Sequence, residues 1–137
     1  MTVAIVGCGV LGTSLSATLS NQGQTVYTMD TCIETFERLP KSKINDSTIV
    51  PIVGDGTRRK DLAKLPFRDI DTLIAVTGSD TVNALVAQIA KRIHGIPSVI
   101  CRIEDQNKRE MYMALEISNA GATEILAKTI IDTIEAH

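Results

Sequence analysis

The sequence predicts an α/β protein: a doubly wound Rossmann fold with a six-stranded parallel sheet, order 3-2-1-4-5-6, and helices on both faces. Three observations predict it. Short apolar, β-branched runs alternate with helix-period segments along all 137 residues. The connections between them are short, as right-handed β-α-β crossovers require. A glycine-rich turn, Gly7-Cys8-Gly9-Val10-Leu11-Gly12, follows the first run directly and opens the first helix.

Residues 2–6 are a short buried strand, and Leu11, Leu15 and Leu19 then recur at helical spacing until Gly23 closes the helix. Residues 25–29 form the second strand. Residues 32–39 read as a short helix ended at Pro40, and residues 48–53 as the third strand, placed at a sheet edge by Pro51. Residues 58–65 are a short helix and residues 72–76 the fourth strand. The clearest helix spans residues 80–94: Val82, Leu85, Val86, Ile89, Ala90 and Ile93 mark one face, Ser79 is the N-cap and Gly95 the stop. Residues 98–102 are the fifth strand, backed by a helix over residues 107–118. Residues 123–126 are expected as the sixth strand, with a closing helix from residue 127 towards residue 137.

Composition narrows the function. The chain is 44% hydrophobic and 22% charged, the balance of a single globular domain able to bury a core without disulfides or metal. Two Tyr, two Phe and no Trp leave little for base stacking, and 14 basic against 16 acidic residues offer no cationic surface for nucleic acid or anionic lipid. Three scattered cysteines (Cys8, Cys32, Cys101) and two isolated histidines form no CxxC or metal-ligand spacing, which suits reduced thiols in the cytoplasm. The first 29 residues carry no charge at all; the first charged side chain is Asp30. A secretory signal would need a basic start and a membrane span about 20 apolar residues, and this stretch has neither.

The glycine turn explains that blank. In a dinucleotide fingerprint Gly7 permits the tight turn, Gly9 lets backbone approach a pyrophosphate, and Gly12 lets the helix pack on the sheet. Phosphates are then bound by amides and the helix dipole, so no Lys or Arg is needed, and a strand buried on both faces tolerates none. Asp30, at the tip of the second strand, can accept from both ribose hydroxyls, or cap the next helix. With Thr31 and no basic residue beside it, a 2′-phosphate is repelled. NAD(H) or an adenine nucleotide therefore fits better than NADP. Two further loops end strands, where such sheets bind ligands: Gly54-Asp55-Gly56-Thr57, whose Asp55 reaches an adenine amino group or merely caps a turn, and Thr77-Gly78-Ser79-Asp80 with Asn83 a turn later. Arg102 is either a phosphate-binding cation or the partner of Glu104 or Asp105.

These pieces in this order resemble the TrkA-N family, the N-terminal domain (RCK, also KTN) that regulates potassium conductance. The resemblance is carried by GCGVLG, VYTMD, VGDGT, AVTGSD with Asn83, ICRIED and NAGATEIL, from Val3 to Leu126. It implies a cytoplasmic Rossmann domain that binds NAD(H), ATP or ADP and controls a potassium channel or transporter membrane subunit, peripheral to the membrane through that partner. It implies homodimers or larger homo-oligomers in which the last helix crosses to the partner. It places the ligand on Gly7, Gly9, Gly12, Asp30, Asp55, Thr77, Gly78 and Arg102. Many family members carry Arg where this chain has Val10, which favours NAD(H) or ADP over a ligand with a γ-phosphate. The family's ligand-sensing C-terminal domain has no counterpart in residues 1–137, expected here as one TrkA-N domain, either a one-domain subunit or part of a longer chain.

The rival is an NAD-dependent oxidoreductase or its cofactor-binding fragment. No catalytic constellation supports it: Tyr112 lacks a lysine four residues on (Glu116 stands there), and His94 ends its helix away from the expected crevice. Cys8 beside a helix N-terminus invites redox sensing, although a small filler residue is the better account of it. Arg58, Arg59, Lys60, Lys64 and Arg68 are interleaved with Asp61 and Asp69 and read as a solvated face rather than a nucleic-acid site.

Overall fold

The first strand, β1 (Thr2–Val6), has an uninterrupted apolar stretch from Val3 to Val6, and the fold places it mid-sheet, where both faces are buried. The computed structural model describes residues 1–136. Its elements continue as α1 (Val10–Asn21), β2 (Thr25–Asp30), a 3-10 helix (Ile33–Arg38), α2 (Lys41–Asn45), β3 (Ile49–Val53), α3 (Arg59–Leu62), a 3-10 turn (Phe67–Asp69) and β4 (Thr72–Ala75). Then come α4 (Asp80–Gln88), a π-helical turn (Ile89–Ile93), β5 (Ser98–Arg102), α5 (Gln106–Ala114), β6 (Ser118–Ala120) and α6 (Ala122–Glu135). The sheet order is β3-β2-β1-β4-β5-β6 and every pair is parallel, as the sequence predicts.

Alternation along β1 splits the core in two. Val3 and Ile5 join Val26, Ile49, Ile74 and Val76 beneath α1, with Leu15, Leu19, Phe36 and Ile44 packed on them. Ala4 and Val6 face the other way, with Met29, Leu73, Ala75, Val99 and Cys101 beneath Ala84, Val86, Ala87 and Ala90 of the α4 segment. Helix α1 lies close to β2 through small residues: buried Ser16 donates to the Gly12 carbonyl at 2.8 Å and meets the Thr28 hydroxyl at 2.9 Å. Cooperation of the two hydroxyls satisfies both within the core.

Several boundaries differ from expectation. The short helix expected at 32–39 is of 3-10 type over Ile33–Arg38, and the helical turn α2 follows it directly, N-capped by the Pro40 that was expected to end helical structure. The helix expected over 80–94 changes to π-type at Ile89, where His94 N–H bonds the Ile89 carbonyl, before Gly95 turns the chain at φ 64°. The expected helix over 107–118 stops at Ala114, because Glu116 takes a left-handed φ of 61° and its N–H returns to the Met113 carbonyl.

The largest correction concerns the end of the chain. Residues 123–126 are not the sixth strand. Ser118–Ala120 is, paired in register with Ile100, Cys101 and Arg102, while Thr123–Leu126 belong to the first turns of α6. Helical periodicity through Ile125, Ile130 and Ile134 prevails over the short β-branched look of Thr-Glu-Ile-Leu, and the Glu104 carboxylate accepts from the first amides of the helix. The closing helix thus starts at Ala122 instead of residue 127; its expected end at residue 137 lies outside the described residues. Every residue of α6 is exposed, and so is Ile100 on the sheet face that α1 and the 3-10 helix leave uncovered.

Candidate functional site

The C-terminal ends of β1, β2, β3 and β4 meet at the point where the strand order reverses, and there they border a cleft of about 970 Å³. Its first wall is the glycine turn. Gly7 has φ 110°, and a Cβ there would come within 2.8 Å of the backbone of Val76 and Thr77, so the turn from strand to helix needs glycine. A Cβ on Gly12 would overlap the Gly7 carbonyl oxygen, so α1 can close on the turn only without one. The Cβ position of Gly9, by contrast, points into space empty within 4 Å. Gly9 also N-caps α1, with no side-chain cap, so the first-turn amides remain available to an anion.

Asp30 organises the second wall. One carboxylate oxygen accepts from the Cys8 N–H at 2.8 Å and the other from the Cys32 N–H at 2.9 Å, so the residue at the tip of β2 clamps the glycine turn to its own loop. Each oxygen has a further lone pair, which leaves acceptor capacity towards the cleft that Asp30 and Thr31 line. Asp55 makes an Asx turn instead of a helix cap: one of its oxygens accepts from Thr57 N–H and Oγ1 at 2.9 and 2.6 Å. Those bonds hold its carboxyl below the usual carboxylate range.

The third wall is the loop after β4. Asn83 is fully buried and spends its whole amide on it: Oδ1 accepts from Thr77 N–H (2.8 Å) and Oγ1 (2.7 Å), and Nδ2 donates to the carbonyls of Thr77 (3.1 Å) and Arg102 (2.9 Å). Ser79 caps α4 by accepting from Val82 N–H. Asp80 turns away from the cleft and receives the amides of Glu104 and Asp105. Arg102 lines the cleft, and its Nε donates to Glu104 at 3.0 Å, the ion pair expected as its alternative reading.

Of the residues singled out from sequence, Gly7, Gly9, Val10, Leu11, Asp30, Thr31, Gly54, Asp55, Gly56, Thr77, Gly78, Ser79 and Arg102 line the cleft. Cys8, Gly12, Asp80 and Asn83 are braces or packing positions outside its lining, and Thr57, exposed, donates to Asp55 beside it. Val6, Ser14, Met29, Val76, Val82 and Ala122 line it and were not anticipated; Ser14 and Val82 follow by helical spacing from Val10 and Ser79. Ala122 could not be found while residues 123–126 read as a strand.

Burial pushes the Cys8 thiol up, against the weaker effect of its contacts with Thr13 and Thr35, and a protonated, fully buried sulfur is a poor redox sensor. His94 stacks on Phe67 with ring centroids 3.7 Å apart, and neither residue lines the cleft. The basic stretch is partly neutralised by Arg58–Asp55 and Lys64–Asp61 contacts. Among the described residues no cluster of His, Cys, Asp and Glu could hold a metal ion, and no helix is long and apolar enough to cross a membrane.

Comparison with known proteins assigns the family. The TrkA-N domain profile matches residues 3–127. This chain belongs to the TrkA-N family. A relative, the Trk system potassium uptake protein TrkA of Streptomyces coelicolor, is 30% identical over 117 residues, which is 85% of this chain and 51% of that one. The chain spans about half the length of the first curated relatives it matches. Among solved structures, the Shewanella denitrificans Kef CTD in AMP-bound form is similar at a TM-score of 0.78 and 21% identity, covering 99% of this chain and 81% of that one. The GsuK channel bound to NAD is similar at 0.69 and 15%, covering 91% and 22%. A short-chain dehydrogenase/reductase from Veillonella parvula in complex with NADP is similar at 0.61 and 19%, covering 76% and 48%, so the fold by itself does not separate a sensor from an enzyme.

Proposed function

We propose that this TrkA-N domain is a regulatory nucleotide sensor for a potassium transporter or channel, with NAD(H) as the preferred ligand and ADP next. The observation that carries the reading is the composition of the cleft. It offers a glycine cradle, open helix amides and Asp30, while its ionisable side chains are Asp30, Asp55 and Arg102, each already bonded to neighbours. Among the described residues no Tyr, His or Lys lines it to relay a proton beside a nicotinamide. Val10, 79% exposed at the cleft, puts an isopropyl group where a cation would meet a third phosphate, which supports NAD(H) or ADP over ATP. Asp30 stands against NADP. The TrkA relative, the AMP-bound Kef domain and the NAD-bound GsuK channel support the coarser part of this reading, a nucleotide-binding regulator.

The signal leaves through a partner. Ile125, Leu126, Ile130, Ile131 and Ile134 of α6 are each more than half exposed, an apolar surface too large for an isolated helix in water. We assign it to a second copy of the domain, so that nucleotide binding changes the relative orientation of the pair, and the pair acts on a membrane subunit from its cytoplasmic side. Ligand drives that shift only as far as its affinity differs between the two arrangements. The test is calorimetry with NAD, NADH, ADP, ATP, AMP and NADP, together with an assay for NADH oxidation. Binding of NAD(H) or ADP without turnover is expected. Binding of none of the six refutes the site, and turnover of NADH with a small substrate promotes the oxidoreductase reading.

A further inference from the structure

The residue that connects the cleft to α6 is Glu104, which does not itself line the cleft. Its side chain makes two kinds of contact at once. Oε1 accepts from Arg102 Nε at 3.0 Å, and the same carboxylate accepts from the first amides of α6, Ala122 N–H at 2.6 Å and Thr123 N–H at 3.4 Å. Both Arg102 and Ala122 line the cleft. The Glu104 backbone cannot follow its side chain, because its N–H is held by both oxygens of Asp80 at 3.0 and 3.1 Å. Only the carboxylate is free to respond.

We infer that Glu104 is a resident anion at the Arg102 end of the cleft, which competes with the phosphates of a bound nucleotide and passes their charge to the start of α6. An arriving phosphate is attracted by the guanidinium that Glu104 now occupies, and it repels the carboxylate beside it, away from both Arg102 and the α6 amides. Arg102 uses only Nε on Glu104 among the described residues, so its other nitrogens meet the ligand first. As Glu104 yields, α6 loses its capping carboxylate, and the Arg109–Glu124 ion pair from α5 becomes the remaining hold on that turn. The amides of α6 hold the Glu104 carboxyl below its ordinary range, with Arg102 adding to the effect, so the competing anion is charged at neutral pH. Ligands are thereby ranked by the phosphate charge they bring to Arg102, and the helix whose apolar face is unpartnered receives the result.

This inference rests on the cleft being a nucleotide site, and the experiment separates the two. Residue-resolved amide exchange is followed by NMR on the 137-residue chain with saturating adenosine, AMP or ADP, and calorimetry on the same samples establishes occupancy. Loss of one capping interaction corresponds to about a five-fold rise in exchange of the Ala122 and Thr123 amides. That rise is expected with ADP, relative to adenosine. In Glu104→Gln, which keeps the acceptor without the charge, adenosine and ADP should give the same exchange. Bound ADP that leaves these two amides as adenosine does, or a full ADP effect in Glu104→Gln, overturns the role of Glu104 and spares the site. No binding of ADP or AMP overturns both.

Discussion

Truncating Asn83 to alanine removes a side chain that has no access to solvent and makes no contact with a ligand site surface, yet the loop after β4 depends on it. Three backbone groups lose their partner: the Thr77 N–H, the Thr77 carbonyl and the Arg102 carbonyl, bonded now at 2.8, 3.1 and 2.9 Å. Each buried unsatisfied group costs about 1–3 kcal/mol, and partial relaxation or an entering water recovers some of it, so a net loss of about 3 kcal/mol is expected. In urea, with a slope of about 1.5–2 kcal/mol/M for a domain of this size, the midpoint falls by about 1.5–2 M. Asn83→Asp sharpens the test. It keeps both acceptor contacts with Thr77 but turns a carboxylate oxygen towards the two carbonyls, so at pH 7 it should be at least as harmful as alanine and should recover when protonated near pH 4. A loss below about 1 kcal/mol for Asn83→Ala, or an Asn83→Asp variant as stable as wild type at pH 7, refutes the bracing role.

The remaining predictions concern packing, titration and ligand choice. Gly12→Ala places a methyl group against the Gly7 carbonyl and should destabilise by about 3 kcal/mol or more while weakening nucleotide binding; an unchanged melting temperature contradicts the close approach of α1. Burial, with Asp80 adding to it, raises the Cys101 thiol from 9.0 to about 11, so the unfolded chain loses that proton first and stability falls as pH rises from 9 to 11. The loss is roughly 2–3 kcal/mol over that window. Cys101→Ala should show a flatter stability profile there by denaturant titration, and an equally steep one contradicts the account. Val10→Arg supplies the missing cation at the mouth of the cleft and should improve ATP over ADP by about ten-fold in calorimetry, with no change in the ratio counting against the assigned ligand orientation.

The strands that build the cleft were legible because each is a short apolar, β-branched run whose burial needs no distant information. The glycine turn was legible because its three glycines answer to different local demands, and the structure gives Gly7 and Gly12 separate steric reasons while leaving open space at Gly9. What failed was non-local. Ser118–Ala120 carries no apolar pattern and is a strand only through its register with β5, while Thr123–Leu126 look like a strand and are held in a helix by a carboxylate 18 or more residues upstream. Asn83 was read as facing ligand, although its place on the stripe with Val86, Ala87 and Ala90 already put it on the buried face of α4. Glu104 was legible only as a partner for Arg102 two residues earlier; its bonds to the Ala122 and Thr123 amides, 18 and 19 residues on, left no local signal.

The central claim is that Asp30 and the glycine cradle form a nucleotide site specific for a free ribose. The most direct measurement is calorimetric affinity for NAD in wild type and Asp30→Ala, with NADP titrated into both. Each hydrogen bond from a ribose hydroxyl to this carboxylate is worth about 1.5–3 kcal/mol, so Asp30→Ala should weaken NAD by at least about ten-fold, and the advantage of NAD over NADP should collapse. Unaltered NAD affinity in Asp30→Ala, or equal affinity of wild type for NAD and NADP, contradicts the account.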